Sequence, residues 1–471
     1  MVQIRRLPLT KKKLNVKLMM YLRNIQARLP MHLYLIGFKN LKMVFKSIFY
    51  QRSIVIAFSF PYICEVLPKI IKTVIKSIFD LKFNDIHIKI WKILKDPFKA
   101  DRLPIFMIKL IATLNALNPL LLKLLVPYVD GMYIQFLSTF LAALIASLLN
   151  FPYFQELKIS QDRFYTFDWT LLLITKASDT ILSSLATNYC ASSPISGSSV
   201  DLLLSIASTY LISDAFWFHP EKLNPNYVRW INKISVIDPE VVEGIRYLKD
   251  GTLDYQPYPN EQGKLCHQDH YEKYALKNNK DPALGDIKIQ NKLPCEVLHQ
   301  FRTKSCKENT LLAFMRQFKT TFKFYSYINL FMYIFVRRFR GKFVNVIKKT
   351  IRSSLFISSL NAIQWGCICL IRNHHPDWRN QKYWDIIAPK IGSAFAGLSI
   401  LFENPQRRND VLLFVIPKAL GTFIDLKPTP INKLLEIFGF SLSFAVLVAF
   451  ARSNPHRLRG LVGRGLSYMV K

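Results

Sequence analysis

Long apolar runs separated by polar connectors form the main pattern along this chain. One run without charge extends from Gly131 to Phe151, 21 residues, which is enough to cross a hydrocarbon core of about 30 Å at about 1.5 Å per residue. Leu202 to Phe218 contains one acid, Asp214, and Leu355 to Ile371 contains no charge. The pattern therefore predicts an all-α polytopic membrane protein with roughly six to ten spans.

Shorter or charge-interrupted runs supply the other candidate spans, several of which need tilt or partner helices to cross. They are Ile105 to Val129, Trp169 to Leu185, Phe324 to Val336, Ile391 to Phe402, Val411 to Ile424 and Leu434 to Phe450.

A tight pair of apolar segments from Lys390 to Asp425 is typical of a membrane helix hairpin. Its first arm spaces small residues at Gly392, Ala396 and Gly397, a pattern that lets helix backbones approach closely in lipid. Its second arm runs from Asp410 to Thr422. We expect the small residues to be helix-packing positions.

The same pattern occurs about 240 residues earlier in the chain, which indicates an internal duplication. Ser138 and Ala142 correspond to Ser393 and Gly397, and these earlier residues are predicted helix-packing positions too. A stronger match lies downstream of these residues, where the spacing is identical in the two copies. The earlier copy has Asp168, Lys176, Ala177 and Thr180, and the later copy has Asp410, Lys418, Ala419 and Thr422.

The duplication suggests two homologous helical membrane halves joined by a polar connector. We divide the chain into a basic N-terminal region, 1–100, with an interfacial amphipathic helix over Pro68 to Leu81, a first membrane half, 101–235, a connector, 236–323, and a second half, 324–471. Within the connector, Asp238 to Lys249 predicts a short helix entered by Asp-Pro and ended by Asp-Gly. The stretch from Gln256 to Leu293 suggests an extended or irregular structure.

Lys176 and Lys418 each lie midway along an apolar segment, where an ammonium group is costly. One interpretation is a polar pocket in the membrane that also contains Asp168 and Asp410. The alternative is that the lysine stems extend to the headgroups, with both aspartates at helix N-termini. The residues alone leave the two interpretations open.

The connector carries zinc-binding residue types, among them Cys295, His299 and Cys306. Structural zinc sites usually contain closely spaced ligand pairs, and this spacing is loose. A metal site, ordinary reduced cysteines and a Cys295–Cys306 disulfide are the three interpretations, and we expect no cofactor.

The charge balance adds an expectation about partners. The net charge is +33, from 64 Lys and Arg against 31 Asp and Glu. The basic residues mostly flank apolar runs, so we expect contact with anionic lipid headgroups rather than nucleic acid. A second copy of the chain or membrane partner proteins are the expected protein partners. Without a nucleophile elbow, a phosphate loop or a metalloprotease motif, we expect no enzyme activity.

Several stretches resemble the transmembrane protein 135 family. The C-terminal hairpin of that family is similar to 371–373, 385–387, 393–399 and 418–420, and its cysteine-containing segment is similar to 294–309 with Phe314, Phe318 and Tyr327. The hairpin also resembles the helix pair shared by mitochondrial inner-membrane import channels and a small peroxisomal membrane protein. The long basic N-terminal region and the few cysteines depart from the family pattern.

The resemblance implies a multi-pass organelle protein linked to lipid handling, and it brings no catalytic residues. We expect a peroxisomal membrane protein that acts as a scaffold or as a path for a solute or lipid in organelle lipid homeostasis. The alternative is a subunit of a protein import or assembly complex in the mitochondrial inner membrane.

Overall fold

A computed structural model describes residues 52–79, 86–189, 197–255, 265–290, 292–336, 339, 341–374, 381–424, 429–458, 463, 465–467 and 470. The α-helices among them are α1 Arg52–Phe79, α2 Ile86–Lys95, α3 Leu103–Leu125, α4 Gly131–Ile159, α5 Arg163–Tyr189, α6 Gly197–Phe218, α7 Pro225–Ser235, α8 Pro239–Asp250, α9 His270–Lys277, α10 Ile287–Gln290, α11 Cys295–Leu298, α12 Cys306–Phe331, α13 Phe343–His374, α14 Gln381–Ala396, α15 Pro405–Gly421 and α16 Pro430–Ser453. A 3₁₀ segment, Gly397–Phe402, continues α14.

The predicted all-α polytopic class is confirmed, because the described residues form helices without strands and seven helical segments among them are long and apolar enough to cross a membrane. These segments are Arg52–Val74, Ile86–Leu125, Tyr133–Ile159, Ser199–Phe218, Phe343–His374, Gln381–Phe402 and Pro430–Ser453. Three of the shorter predicted candidates, those within α5, α12 and α15, are not among the seven.

The candidate span at Arg52–Val74 lies upstream of the predicted first membrane half, 101–235. The described part of the predicted interfacial helix is the end of the 28-residue helix α1, and its position at the membrane interface stays a prediction. The apolar stretch before Pro68 extends this helix to spanning length, which a search for a basic amphipathic face misses. Residues 1–51, 80 and 81, and the side chains of 75, 76 and 78, lie outside the described residues.

By spatial contact the chain divides into two compact units. Unit 1 comprises 1–166, 176–184 and 428–471, and unit 2 comprises 167–175 and 185–427. In unit 1, α4 packs against α3 and α16, and α1 packs against α3. Aromatic rings fill this core: Phe106 stacks on Phe154 with ring centroids 4.2 Å apart, and Phe151 stacks on Phe440 at 3.9 Å.

In unit 2, α13 packs against both α12 and α14, and α6 packs against both α14 and α15. The two predicted arms of the hairpin, α14 and α15, therefore share α6 as a neighbour. The predicted connector also belongs to unit 2. The duplication and the four-region division stay predictions.

The connector is folded rather than extended. The prediction of irregular structure from Gln256 to Leu293 is wrong for the described residues 265–290, which contain α9 and α10. Apolar residues scattered among polar ones build a common core here with the ends of three membrane helices; the core includes Trp217, Leu248, Leu253, Tyr271, Ile287, Trp365, Ile368 and Ala388.

A close approach explains one glycine of this core. A Cβ at Gly244 would lie 2.2 Å from the ring of Tyr271, so α8 and α9 meet only because no side chain is present. The predicted helix boundaries of α8 are confirmed: Asp238 precedes Pro239, and Gly251 ends the helix with φ of +72°, a conformation that glycine adopts without strain.

Candidate functional site

A buried ion pair joins the connector to two membrane helices of unit 2. Arg372 lies near the C-terminal end of α13 and Asp385 near the N-terminal end of α14, with side chains 3% and 0% exposed. Arg372 Nε donates to Asp385 Oδ1, and Nη2 lies 3.1 Å from Oδ2. Nη2 also donates to the carbonyl of Leu293 at 2.7 Å. We call Arg372, Asp385 and their partners the junction.

The remaining acceptor capacity of Asp385 is also filled. Gln381 donates to Oδ1 at 2.8 Å, and the hydroxyl of Tyr255 donates to Oδ2. Burial raises the pKa of Tyr255 well above its usual value, and the negative charge of Asp385 raises it further. The phenol therefore stays protonated and acts as a donor, which is what a buried carboxylate requires.

Sequence reasoning missed the junction, although Arg372 and Asp385 lie in stretches that carry the family resemblance. A signal was present: two opposite charges lie at facing ends of successive apolar segments. Such charges in or beside membrane segments usually pair. Tyr255 and Leu293 carry no comparable signal, because their positions depend on the fold of the connector.

Next to the junction, the structure brings Cys295, His299 and Cys306 together. Their ligand atoms lie within 4.8 Å of one another. Cys295 is the first residue of the short helix α11 and His299 is its C-cap, four residues later and therefore on the same side. Cys306 is the first residue of α12, after the N-cap Ser305. The loose spacing in the sequence thus becomes a compact group of three metal-binding side chains.

His299 has a defined orientation in this group. Its Nδ1 lies 2.9 Å from the carbonyl oxygen of Thr303 and must donate there, because a carbonyl only accepts. Nε2 is left with a lone pair and lies 3.3 Å from the sulfur of Cys369, on α13. Burial lowers the pKa of His299, which favours the neutral ring that binds metals.

The thiols have donors around them. Arg372 Nη1 lies 3.6 Å from the sulfur of Cys295, and Asn373 Nδ2 lies 3.2 Å from the sulfur of Cys306. Burial raises the pKa of Cys295, and the charge of Arg372 opposes this shift. The group can hold a metal ion, and sequence reasoning did not include Cys369 because it lies 63 residues after Cys306.

The two lysines of the predicted pocket have different surroundings. Lys176, in unit 1, is almost fully buried and pairs with Asp179 at 2.8 Å, three residues along the same helix. Lys418, in unit 2, lies 2.6 Å from Asp168, so it links α15 to α5. Asn224 also donates to Asp168 at 3.1 Å.

Lys418 also lies over the ring of Tyr227, 5.7 Å from its centroid.

The expectation that Asp168 and Asp410 occupy helix N-termini is wrong. The helix α5 begins at Arg163 and α15 at Pro405, so each aspartate is the sixth residue of its helix, because the helix begins before the apolar run in both cases. Asp410 is exposed.

Two of the predicted packing glycines lie at close backbone contacts. A Cβ at Gly392 would lie 2.9 Å from the carbonyl oxygen of Gln364 on α13, and a Cβ at Gly397 would lie 2.5 Å from Cα of Ile206 on α6. Ala396, between them, is fully buried. In unit 1, Ser138 and Ala142 are fully buried on α4.

Comparisons with protein-family models, curated proteins and solved structures find no match for this chain.

Proposed function

We propose that this chain is an integral membrane protein of an organelle, with the peroxisome as the first candidate. We also propose that unit 2 is a rigid scaffold in organelle lipid homeostasis. The observation that carries the proposal is a line of buried polar side chains along α13. It consists of Thr350, Ser353, Ser354, Ser358, Ser359, Asn361 and Gln364.

These polar groups bind other protein groups, including partners on neighbouring helices. Asn361 donates to Gln317 on α12 at 3.3 Å, and Gln364 donates to Ser393 on α14 at 3.3 Å. Ser353 donates to Glu403 at 2.7 Å. In lipid, such pairs hold helices together because apolar side chains gain little by leaving lipid for protein. Paired groups of this kind favour a scaffold over an open solute path.

The membrane location is supported by large apolar side chains on the outside of candidate spans. Leu124, Tyr133, Leu370 and Leu435 are each more than 60% exposed. Exposed apolar surface on helices of spanning length is expected where the solvent is lipid.

Cysteine accessibility separates a scaffold from a solute path. We would introduce Ser354→Cys and Ser358→Cys into the full chain in native membranes, add a membrane-impermeant thiol reagent, and read each site by mass spectrometry. Lys304→Cys, on the exposed connector surface, is the control for reagent access after permeabilisation. A scaffold leaves both serine positions unlabelled, whereas labelling at both would show a water-filled path and contradict the scaffold.

The organelle is tested by imaging a tagged chain at native expression with peroxisomal and mitochondrial markers. A peroxisomal signal supports the proposal and directs the next assays to lipid levels in cells that lack the chain. A signal from the mitochondrial inner membrane contradicts it and makes an import or assembly subunit the primary hypothesis, to be tested by cross-linking to translocase partners.

A further inference from the structure

We propose that Cys295, His299, Cys306 and Cys369 form a structural zinc site that fixes the connector to the end of membrane helix α13. The first three residues come from the connector and the start of α12, and Cys369 lies five residues before the end of α13. One metal ion would thereby join segments that are 63 residues apart in the sequence. Such a site would serve a scaffold and a solute path equally well.

The four side chains lie next to one another. Cys295, His299 and Cys306 place their ligand atoms within 4.8 Å of one another. The thiol of Cys306 is in side-chain contact with those of both Cys295 and Cys369, and Nε2 of His299 lies 3.3 Å from the sulfur of Cys369. Cys369 therefore closes the group as a fourth member.

The separation between His299 and Cys369 can be compared directly with zinc geometry. With zinc–sulfur bonds of about 2.3 Å and zinc–nitrogen bonds of about 2.0 Å, a tetrahedron separates two sulfurs by about 3.8 Å and a sulfur from a nitrogen by about 3.5 Å. The observed sulfur–nitrogen separation of 3.3 Å is already close to this value. Small rotations of the cysteine side chains complete the geometry.

The surrounding groups support thiolate and imidazole ligands. The carbonyl of Thr303 orients His299 through Nδ1 at 2.9 Å, the arrangement that metal-binding histidines usually have. Asn373 donates to Cys306 at 3.2 Å, and the sulfur also lies at the positive N-terminal end of α12. Arg372 lies 3.6 Å from the sulfur of Cys295 and offsets the negative charge that three thiolates give a zinc ion.

The ligand set selects the metal and its role. Three thiolates and one imidazole favour zinc over the hard cations calcium and magnesium, which prefer oxygen. Four protein ligands leave no open position, so the ion would be structural rather than catalytic. The alternative use of the same residues is a Cys295–Cys306 disulfide, which the experiment must separate from a metal site.

The test is metal analysis of the full chain, purified in detergent under reducing conditions without added metal. We expect about one zinc ion per chain. Cys369→Ser should weaken zinc binding by at least about 10-fold, since even groups that only orient ligands contribute that much. The variant should also lose its zinc to a chelator that does not remove zinc from the wild type. Absence of zinc from the wild type, even after reconstitution, would overturn the proposal.

Cys367→Ser is the matched control. Cys367 lies two residues from Cys369 on the same helix and faces Gly392, so its replacement should leave the zinc content unchanged. Cys369→His restores a metal ligand at the same position and should recover zinc binding. A Cys369→Ser protein with full wild-type affinity would exclude Cys369 as a ligand and overturn the four-residue site.

Two measurements on the wild type keep the test decisive if Cys369→Ser fails to fold. Cobalt reconstitution should give the intense visible absorption of tetrahedral thiolate coordination, and an octahedral spectrum would overturn the proposal. Intact mass after purification without reductant should show free thiols with bound zinc. A Cys295–Cys306 disulfide with no metal would instead establish the redox alternative.

Discussion

The interiors of unit 1 and unit 2 differ most in one feature, a fully buried ion pair in unit 2. Unit 1 stacks aromatic rings in its core, such as the pair Phe151 and Phe440, and also makes polar contacts between helices, such as Gln155 with Glu436 at 2.7 Å. Unit 2 buries a line of serine, threonine, asparagine and glutamine side chains along α13, and it ends this line with the ion pair of Arg372 and Asp385. Both units contain candidate membrane spans.

This difference matters because lipid removes most of the hydrophobic gain between membrane helices. Rings that interlock can still select neighbours by shape, as in unit 1. Polar side chains select neighbours by pairing, because a polar group without a partner is costly in hydrocarbon. Loss of one partner of the buried ion pair in unit 2 should therefore be more harmful than loss of one neutral polar group in either unit.

Asp385→Asn should have the largest effect. The substitution keeps the shape but leaves Arg372 as a buried charge without a counter-ion, and breaking such pairs costs about 3–5 kcal/mol. We would measure the apparent free energy of unfolding by denaturant titration in detergent micelles. Limited proteolysis of residues 236–305 should accelerate in parallel, since the junction anchors the connector.

The control for Asp385→Asn is Asp269→Asn on the connector surface. Asp269 pairs with Lys273, and both side chains are more than half exposed, so the loss should be at most about 1 kcal/mol. Equal costs for the two substitutions would show that the junction contributes no more than a surface ion pair.

Gly397→Ala should have the next largest effect. The added Cβ would lie 2.5 Å from Cα of Ile206, which is backbone and cannot rotate away, so overpacking should cost about 1–3 kcal/mol. Gly366→Ala is the matched control within a helix. Its Cβ would meet Thr310 at an ordinary 3.6 Å, and it should stabilise the helix by about 0.5–1 kcal/mol.

Both glycine variants would be compared by thermal unfolding of the detergent-solubilised chain. Opposite signs for the same chemical change would establish that the close approach at Gly397 is required for packing. A neutral Gly397→Ala would mean that α6 can move away from this contact without loss.

The sequence predicted the helical membrane class because hydrophobic length is a local property. It also predicted both ends of α8, where Asp238-Pro239 and Gly251 carry the signals in adjacent residues. The predicted spans did not include Arg52–Val74, since this segment joins an apolar run to a basic face. Local patterns thus define elements well, and they define the limits of a mixed segment poorly.

The candidate site was harder to predict, because its members meet only after folding. Cys295, His299 and Cys306 were identifiable by residue type, whereas their proximity depends on α11 and on the turn before α12. Cys369 and Arg372 come from the far end of α13. Contacts across such sequence separations have no local signal in a single sequence.

The two lysines extend the comparison to charge pairs. Lys418→Met removes a bond of 2.6 Å between α15 and α5 and leaves Asp168 with Asn224, so we expect a cost of about 1.5–3 kcal/mol, typical of a hydrogen bond to a charged group. Lys176→Met breaks only a pair within one helix, worth about 0.2–0.5 kcal/mol. Denaturant titration of both variants checks the order, and a greater loss for Lys176→Met would contradict it.

Ser393→Ala should have the smallest measurable effect, and it tests the polar line directly. The substitution removes the partner of Gln364 across the helix boundary, and bonds of this kind in membranes average about 0.6 kcal/mol. Ser147→Ala is the counterpart in unit 1. Ser147 is fully buried but bonds only to Ala143 and Leu144 of its own helix, so its loss should be close to zero. The comparison requires replicate titrations of both variants against the wild type.

A loss for Ser147→Ala as large as that for Ser393→Ala would show that burial of the hydroxyl sets the cost, rather than pairing between helices. The two interiors would then differ only in their residue composition.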